Sequence, residues 1–198
     1  MCFQIRTQIF SVPPNCQFQI DDAEQDWTFG INSFDFIHCR DMYTGIRDWK
    51  KFVRQCFDHL KPGGYVEFSS IYAYPKSDDG TLPENSSITE FPKLFDEITR
   101  RMGADPDFPT KFKGWFEEVG FEGVVEQTFK IPSSPWPKDP RLKRVGALEL
   151  MNVVEGASGI LHRGWTKEFG QTSEELEVII AEMRKELMTN KAHCYILL

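Results

Sequence analysis

The sequence predicts an α/β fold with a mostly parallel sheet and helices on both of its faces. The segment Phe34–Cys39 is almost wholly apolar, as expected of an interior parallel strand. Apolar residues at helical spacing follow between Ile46 and Leu60, and Gly63-Gly64 then separate this helix from a second strand over Tyr65–Ile71. Because a helix joins the two strands, we expect them to be parallel, with a right-handed crossover.

Further elements follow along a chain that we predict to be one domain, residues 1–198. Alternation of apolar and polar residues, or short apolar runs, predict strands at 2–10, 17–20, 124–131 and 192–198. Helical spacing predicts helices at 91–102, 112–119 and 141–161, and the capping box that begins at Thr172 predicts a last one. Residues 75–87 are polar and 132–140 are rich in proline, so we expect a loop at each.

Composition excludes several function classes. A net charge of -7 argues against nucleic acid or an anionic membrane surface as the main partner. No apolar run is long enough to span a bilayer. The five cysteines form no Cys-x-x-Cys pair, and none lies near a histidine at zinc spacing, so we expect no metal site. Their odd number, with no signal peptide, predicts an intracellular protein, cytoplasmic or nuclear.

Candidate site residues follow from the predicted sheet, since open α/β sheets bind ligands beyond the carboxyl ends of their strands. His38, Cys39 and Arg40 stand at that end of the first strand, with Asp41 and Tyr43 after them. His38 could equally be a core histidine, and Arg40 a surface charge. The second strand carries Glu67, and a buried carboxylate there would need a partner or would face the cleft. Two tyrosines then leave this strand towards the substrate side, Tyr72 and Tyr74.

Two further residues have alternative interpretations. Asp22, followed by Glu24 and Gln25, has the chemistry of a helix N-cap, and it could also contact a ligand. Trp136, among prolines, could form a rigid lid over a substrate or could pin the loop 132–140 to the core.

Three blocks of the sequence resemble a known family. The first is Val12–Glu24 with Trp27 after it, and the second joins Ser33–Arg40, Asp48-Trp49 and Leu60–Glu67. The third is Lys130-Ile-Pro with Pro135–Arg141. Together, over about residues 12–197, they resemble fungal class I S-adenosylmethionine-dependent methyltransferases of the type grouped with regulators of secondary metabolism. The fold that the resemblance implies is an incomplete Rossmann-like sheet.

The resemblance implies S-adenosylmethionine as cofactor, a small-molecule methyl acceptor, and roles for the residues above. Asp22 and Ala23 would contact the adenine, and His38, Cys39 and Arg40 would lie beside the methionine part. Methyl transfer needs alignment, exclusion of water and sometimes a base. The catalytic candidates are His38, Tyr43 and Tyr72, and the substrate-binding candidates are Tyr74 and Trp136.

The sequence departs from the family before Val12. The family places a glycine-rich turn and a ribose-binding acidic residue ahead of this block, but the first eleven residues contain no Gly, Asp or Glu. We therefore expect a shortened form with impaired cofactor binding, since each lost charge-assisted hydrogen bond removes roughly 1.5–3 kcal/mol. The alternative is a non-catalytic relative that binds or regulates, or reuses the cleft for another reaction. A protein partner or a second copy could then cover an exposed sheet edge, and we expect residues 2–10 to cover part of it.

Overall fold

The computed structural model describes residues 13–198. The predicted strand over residues 2–10 lies outside this range, as does its predicted pairing. Eleven elements follow one another: β1 Phe34–Arg40, α1 Trp49–His59, β2 Leu60–Ser69, β3 Tyr72–Ser77, α2 Ser87–Arg101, a 3-10 helix Phe108–Lys111, α3 Phe112–Val119, β4 Lys130–Pro132, α4 Pro140–Glu168, α5 Ser173–Met188 and β5 Cys194–Leu197.

β1 and β2 are parallel neighbours, as predicted. Their register runs from Phe36 opposite Tyr65 to Arg40 opposite Ser69, and α1 makes the crossover between them. β2 begins directly after α1 and bulges away from β1 before the regular pairing starts. The bulge needs glycine, because Gly63 has a φ of 81° and a Cβ on Gly64 would lie 3.0 Å from the carbonyl oxygen of Lys61.

The other strands form an antiparallel sheet in the order β3–β5–β4. Two residues separate β3 from the end of β2, and β3 pairs with β5, from Tyr72 opposite Leu197 to Ser77 opposite Cys194. The last strand of the chain therefore lies between β3 and β4.

Two apolar clusters support these sheets. The first lies under β1 and β2, where α1 buries Trp49, Phe52 and Cys56, and the ring of Trp49 stacks on Phe108 with centroids 4.6 Å apart. The second joins α2, α4 and α5 around fully buried side chains such as Leu161 and Leu176. Burial of this apolar area is the main contribution to folding.

Two predicted helix ends are confirmed, and two other boundaries differ from the prediction. Thr172 accepts from the Glu175 N–H at 3.3 Å while the Glu175 carboxylate accepts from the Thr172 N–H at 2.9 Å, which is the predicted capping box. α3 ends at Gly120, whose φ of 111° is left-handed. α2 begins at residue 87 rather than 91, and α4 continues to residue 168 rather than 161.

Three predicted elements were wrong. Residues 17–20 form no strand and Phe18 is 67% exposed, because alternation alone gives a strand no partner to pair with. The predicted strand 124–131 is reduced to Lys130–Pro132, the part that faces β5. The predicted loop 75–87 instead begins as strand, since β3 continues to Ser77.

Candidate functional site

The candidate site lies at the carboxyl end of β1, where the chain turns towards α1. Asp41 connects this end to β2: its N–H donates to the Ser69 carbonyl at 3.0 Å, and its carboxylate accepts from the Ile71 N–H at 3.3 Å. The Arg40 guanidinium lies 3.3 Å from the same carboxylate, and its side chain is 67% exposed. Arg40 is thus at the surface, beside the end of the strand.

His38 and Glu67 are neighbours across the parallel pair. The His38 Nδ1 and the Glu67 Oε1 are 3.9 Å apart, and both side chains are exposed. His38 is therefore not a core histidine. Glu67 was expected to have a partner or to face the cleft, and it lies beside His38 with an exposed side chain. Its neighbours Val66 and Phe68 lie on the opposite face of β2, which packs on the helices, as predicted.

The Cys39 side chain points into the first apolar cluster. Its exposed fraction is 6%, and it packs with Trp49, Phe52 and Cys56. Burial, with a smaller effect of the Asp41 charge, raises the pKa of the Cys39 thiol to about 12. The thiol is consequently neutral, and only the backbone of this residue is suited to contact a polar ligand.

Asp22 and Ala23 lie at the same end of β1, because their neighbour Glu24 is bound to the segment that leads into α1. One Glu24 carboxylate oxygen accepts from the N–H of Arg47 at 2.6 Å and from that of Asp48 at 3.0 Å. The Asp22 carboxylate accepts from the Glu24 N–H at 3.1 Å within a turn. No helix follows it, so the N-cap interpretation was wrong.

Tyr43 brings a buried hydroxyl to the site. Its ring packs between Phe95 and Phe108, with centroids 5.3 and 5.1 Å away. The Tyr43 Oη lies close to the buried Ser70 Oγ, and among the described residues neither hydroxyl has a further hydrogen-bond partner. Burial raises the pKa of Tyr43 far above its usual range, so the phenol stays protonated at neutral pH. A hydrogen bond with the Ser70 hydroxyl lowers this pKa by a smaller amount, and the negative charges of Asp41 and Glu149 raise it further.

Glu149 approaches from α4 and completes a polar group that we name the carboxyl-end cluster: Asp41, Tyr43, Ser70 and Glu149. Burial raises the pKa of Glu149, a hydrogen bond from Asn152 opposes this, and the Asp41 charge adds to it. The Asn152 amide donates to Glu149 at 3.5 Å. Sequence reasoning missed Glu149, because a lone glutamate in a mixed helical stretch carries no signal of its own.

Tyr72 and Tyr74 face a different group of charges. Their rings are 5.2 Å apart. Burial, followed by the nearby Asp96 carboxylate, raises the pKa of Tyr74 to about 12. Arg100 bridges Asp96 and Asp107 at 3.3 and 2.8 Å, so these carboxylates already have a cation. The two tyrosines predicted as catalytic candidates thus lie in different places: Tyr43 belongs to the carboxyl-end cluster, and Tyr72 lies beside α2.

Trp136 is held against β5. Its indole N–H donates to the Cys194 carbonyl at 2.9 Å, and its ring stacks on His193 with centroids 5.0 Å apart. Of its two interpretations, these contacts favour the pinned loop over the lid.

Two properties of residues 13–198 bear on function. In residues 13–198, no group of three or more His, Cys, Asp or Glu side chains is placed to hold a metal ion. None of the helices in this range combines the length and the apolar character needed to cross a membrane.

The chain is similar to a known protein family and to several known proteins. Residues 5–127 match the family described as "Methyltransferase domain". The chain is 38% identical over 181 residues to "Methyltransferase pytC" of Aspergillus terreus, covering 91% of this chain and 56% of that protein. It is 30% identical over 174 residues to "Probable methyltransferase tdiE" of Emericella nidulans, covering 88% and 54%.

Another relative carries a regulatory name. The chain is 27% identical over 194 residues to "Secondary metabolism regulator LAE1" of Cochliobolus heterostrophus, covering 96% of this chain and 63% of that protein. Among solved structures, a Haemonchus contortus phosphoethanolamine N-methyltransferase 2 with S-adenosylhomocysteine matches at a TM-score of 0.42 and 18% identity, over 89% of this chain and 34% of that one. The chain spans roughly half to two thirds of the length of these curated relatives.

Proposed function

Since the chain belongs to the methyltransferase domain family, we propose that it transfers a methyl group from S-adenosylmethionine to a small-molecule acceptor at the carboxyl-end cluster. The observation that supports this site is the pair of buried hydroxyls, Tyr43 Oη and Ser70 Oγ, which have no partner but each other among the described residues. Buried polar groups are almost always fully hydrogen-bonded, so a hydroxyl pair with unused hydrogen-bonding capacity beside a partly buried carboxylate fits a site that binds a polar ligand.

The end of β1 offers groups that suit the two polar ends of the cofactor. In the described chain, one Asp22 carboxylate oxygen accepts a hydrogen bond from the Glu24 N–H. The nearby Gln19 amide donates to Asp21 and not to Asp22. The second Asp22 oxygen can therefore accept from an adenine amine. Arg40 uses its Nε on Asp41, so its terminal nitrogens can hold a carboxylate. Bound there, S-adenosylmethionine would supply an electrophilic methyl group. Since β1 pairs only with β2 within residues 13–198, these groups form one wall, and we expect weak affinity.

The residues of the cluster have distinct roles in this proposal. Tyr43 stays protonated, so it donates a hydrogen bond that orients the acceptor, and Ser70 fixes the acceptor's other side. Glu149, once deprotonated, accepts the proton that the acceptor's oxygen or nitrogen loses as that atom bonds to the methyl carbon. The bond from the methyl carbon to the sulfonium sulfur would break in the same step, with S-adenosylhomocysteine as the leaving group. The aromatic walls Phe95 and Phe108 exclude water from this position.

Nuclear magnetic resonance titration with S-adenosylhomocysteine tests the cofactor part of the proposal. We expect saturable shifts of the Asp22, His38 and Arg40 amides, with a Kd on the order of 1 mM, which is about 4 kcal/mol of binding free energy. Arg40→Ala should weaken the binding, whereas Arg54→Ala, on the exposed face of α1, should not. Absence of any shift in a cooperatively folded chain would contradict this function.

Glu149→Gln tests the catalytic part. We expect it to lower the transfer of labelled methyl from S-adenosylmethionine to a panel of phenols and alcohols by about 100-fold, as for loss of a general base. The wild-type rate should rise with pH through the raised pKa of Glu149, because only the carboxylate form accepts a proton. Glu155→Gln is the matched control, since Glu155 is exposed on the same helix. Equal rates in the two variants would exclude Glu149 as the base.

A non-catalytic role is the second candidate, and the relative named as a regulator of secondary metabolism favours it. In that case the chain would act by binding alone, and neither the cofactor titration nor the methyl-transfer assay would give a signal from a stably folded protein. The two candidates therefore predict opposite results in the same experiments.

A further inference from the structure

The long helix α4 carries a line of exposed side chains along one of its sides. Four exposed residues make up this line: Arg144, Leu148, Met151 and Glu155. Their spacing of four, three and four residues is that of a coiled-coil seam, so they follow one another over about three helical turns. Leu148 is 63% exposed and Met151 52%. We name these four residues the α4 stripe.

The neighbouring helices pack on other sides of α4. Gly164 lies against Ile98 of α2, and Leu161 is fully buried in the second apolar cluster. α5 lies along another side, where the Arg184 side chain donates to the Val154 carbonyl at 2.7 Å. Within residues 13–198, the α4 stripe is therefore not covered by another element.

The two ends of the α4 stripe carry opposite charges that lack partners. Within residues 13–198, neither the Arg144 guanidinium nor the Glu155 carboxylate forms an ion pair or a hydrogen bond. Residues 1–12 contain no Asp or Glu, so they provide no acidic partner for Arg144. A segment that fits this face needs an acidic residue opposite Arg144, apolar residues in the middle and a basic residue opposite Glu155.

The α4 stripe has this order itself when a second copy runs in the reverse direction. If two α4 helices lie antiparallel about a two-fold axis between Leu148 and Met151, Leu148 of each copy faces Met151 of the other. The same axis places Arg144 of each copy opposite Glu155 of the other, because both pairs are centred on the same point of the helix. The interface then has an apolar centre with an ion pair at each end.

Arg141 extends this complementarity to α5. The axis places Arg141 of each copy opposite Ser158 of the other, one turn beyond Glu155. Glu177 of α5 lies beside Ser158, whose hydroxyl is hydrogen-bonded to its carboxylate, and this carboxylate is half-exposed. A second cation therefore meets a second carboxylate at each end of the interface.

We propose that the α4 stripe is the interface of a homodimer in which two α4 helices pack antiparallel. The proposal goes beyond methyl transfer and depends neither on the cofactor nor on the acceptor. Exposed ion pairs add little affinity, so the apolar centre holds the copies together, and the charges fix their direction and register. Since a contact of three helical turns is small for an interface, we expect a reversible dimer with a Kd on the order of 100 µM.

Charge reversal tests the direction and the register. Arg144→Glu and Glu155→Arg each bring like charges together at both ends, so each variant alone should dimerise at least about tenfold more weakly than the wild type. An equimolar mixture of the two should form heterodimers about as tightly as the wild type, because the new carboxylate of one variant then faces the new guanidinium of the other. Sedimentation equilibrium from about 1 to 500 µM, a range that includes the expected Kd, measures all of these.

The matched control is Lys143→Glu. It changes the net charge as much as Arg144→Glu does, but Lys143 is exposed on a different side of α4. This variant should dimerise like the wild type.

Three results would overturn the proposal. The first is a wild-type chain that stays monomeric throughout the concentration range. The second is a single charge-reversal variant that dimerises as tightly as the wild type, because the interface would then lie elsewhere. The third is a mixture no more dimeric than its two components, which would exclude the antiparallel register. Since none of these measurements uses the cofactor, failure here is distinct from failure of the methyl-transfer proposal.

Discussion

At the scale of single residues, Asp41 determines how β1 ends. Its φ of 50° is left-handed, a conformation that Asp, Asn and Gly adopt more readily than other residues. In that conformation its N–H reaches Ser69 and its carboxylate reaches the Ile71 N–H. Asp41 thus joins the ends of both parallel strands, through its backbone N–H and its carboxylate, and directs the chain towards Tyr43.

Replacing Asp41 separates these contributions. Asp41→Ala removes the acceptor and leaves a residue less suited to a positive φ, so we expect the free energy of unfolding to fall by about 1–3 kcal/mol. Asp41→Asn keeps an acceptor oxygen and tolerates the conformation, so its loss should be clearly smaller. Chemical denaturation measures both, and equal losses would show that the charge, rather than the geometry, is what matters.

At the scale of elements, α4 is shaped by the glycines at its contacts. Gly146 lies under the loop 132–140, where an added Cβ would be 2.2 Å from the Ser134 carbonyl oxygen. Gly164 meets α2, where a Cβ would be 2.1 Å from the Ile98 Cγ2. Gly159 has nothing within 4 Å of that position. Gly146 and Gly164 therefore allow close packing of α4, and Glu149 lies between them in the helix. Gly159 makes no such close contact.

Alanine substitutions at these glycines should therefore change the free energy of unfolding in opposite directions. Gly146→Ala should lower the free energy of unfolding by about 1–3 kcal/mol, because a backbone carbonyl has to move away. Gly159→Ala should raise it by up to about 1 kcal/mol, since alanine favours a helix over glycine and has free space there. Thermal and chemical unfolding of the two variants test this directly. A stabilising Gly146→Ala would mean that the loop does not cross the helix at this point.

At the scale of the whole molecule, two aspartates connect the loop between β3 and α2 to the last strand, β5. Asp79 accepts from Thr81 Oγ1 at 2.7 Å and contacts His193 Nδ1 at 2.6 Å, next to the start of β5. Asp78 accepts from the Tyr195 hydroxyl at 2.7 Å. Hydrogen bonds from Thr81, then His193 and Ser77, hold the pKa of Asp79 far below its usual range. The carboxylate form is therefore favoured in the folded chain.

This predicts how stability depends on pH. A carboxyl whose pKa is lowered by folding stabilises the fold above its unfolded pKa, about 3.9, and this contribution is lost as the pH falls through the lowered folded value. The free energy of unfolding should thus decrease below about pH 4. Asp79→Asn should flatten this decrease, whereas Asp58→Asn, on the exposed side of α1, should leave its slope unchanged. Parallel slopes for all three proteins would exclude the Asp79 contacts as the cause.

Local patterns in the sequence determined much of the central architecture. The parallel pair around α1, the end of α3 at Gly120 and the capping box at Thr172 were predicted and are present, because periodicity, glycine conformation and capping act within a few residues. The three motif blocks also placed the chain in its family. The site roles of Asp22, His38 and Arg40 stay predictions.

Only the tertiary structure decided which distant residues meet. Glu149 comes near Tyr43 because α4 packs on α2, whose Phe95 contacts the Tyr43 ring. Glu67 is exposed because it lies on the face of β2 that points away from the helices. Residues 124–129 have the composition of a strand, but within residues 13–198 they form backbone hydrogen bonds only at Phe129, with Leu198 next to β5. A helix makes its backbone hydrogen bonds within one segment, so local sequence predicts it. A strand makes them with a segment that can lie far away in the chain, so its pairing is decided by the tertiary structure.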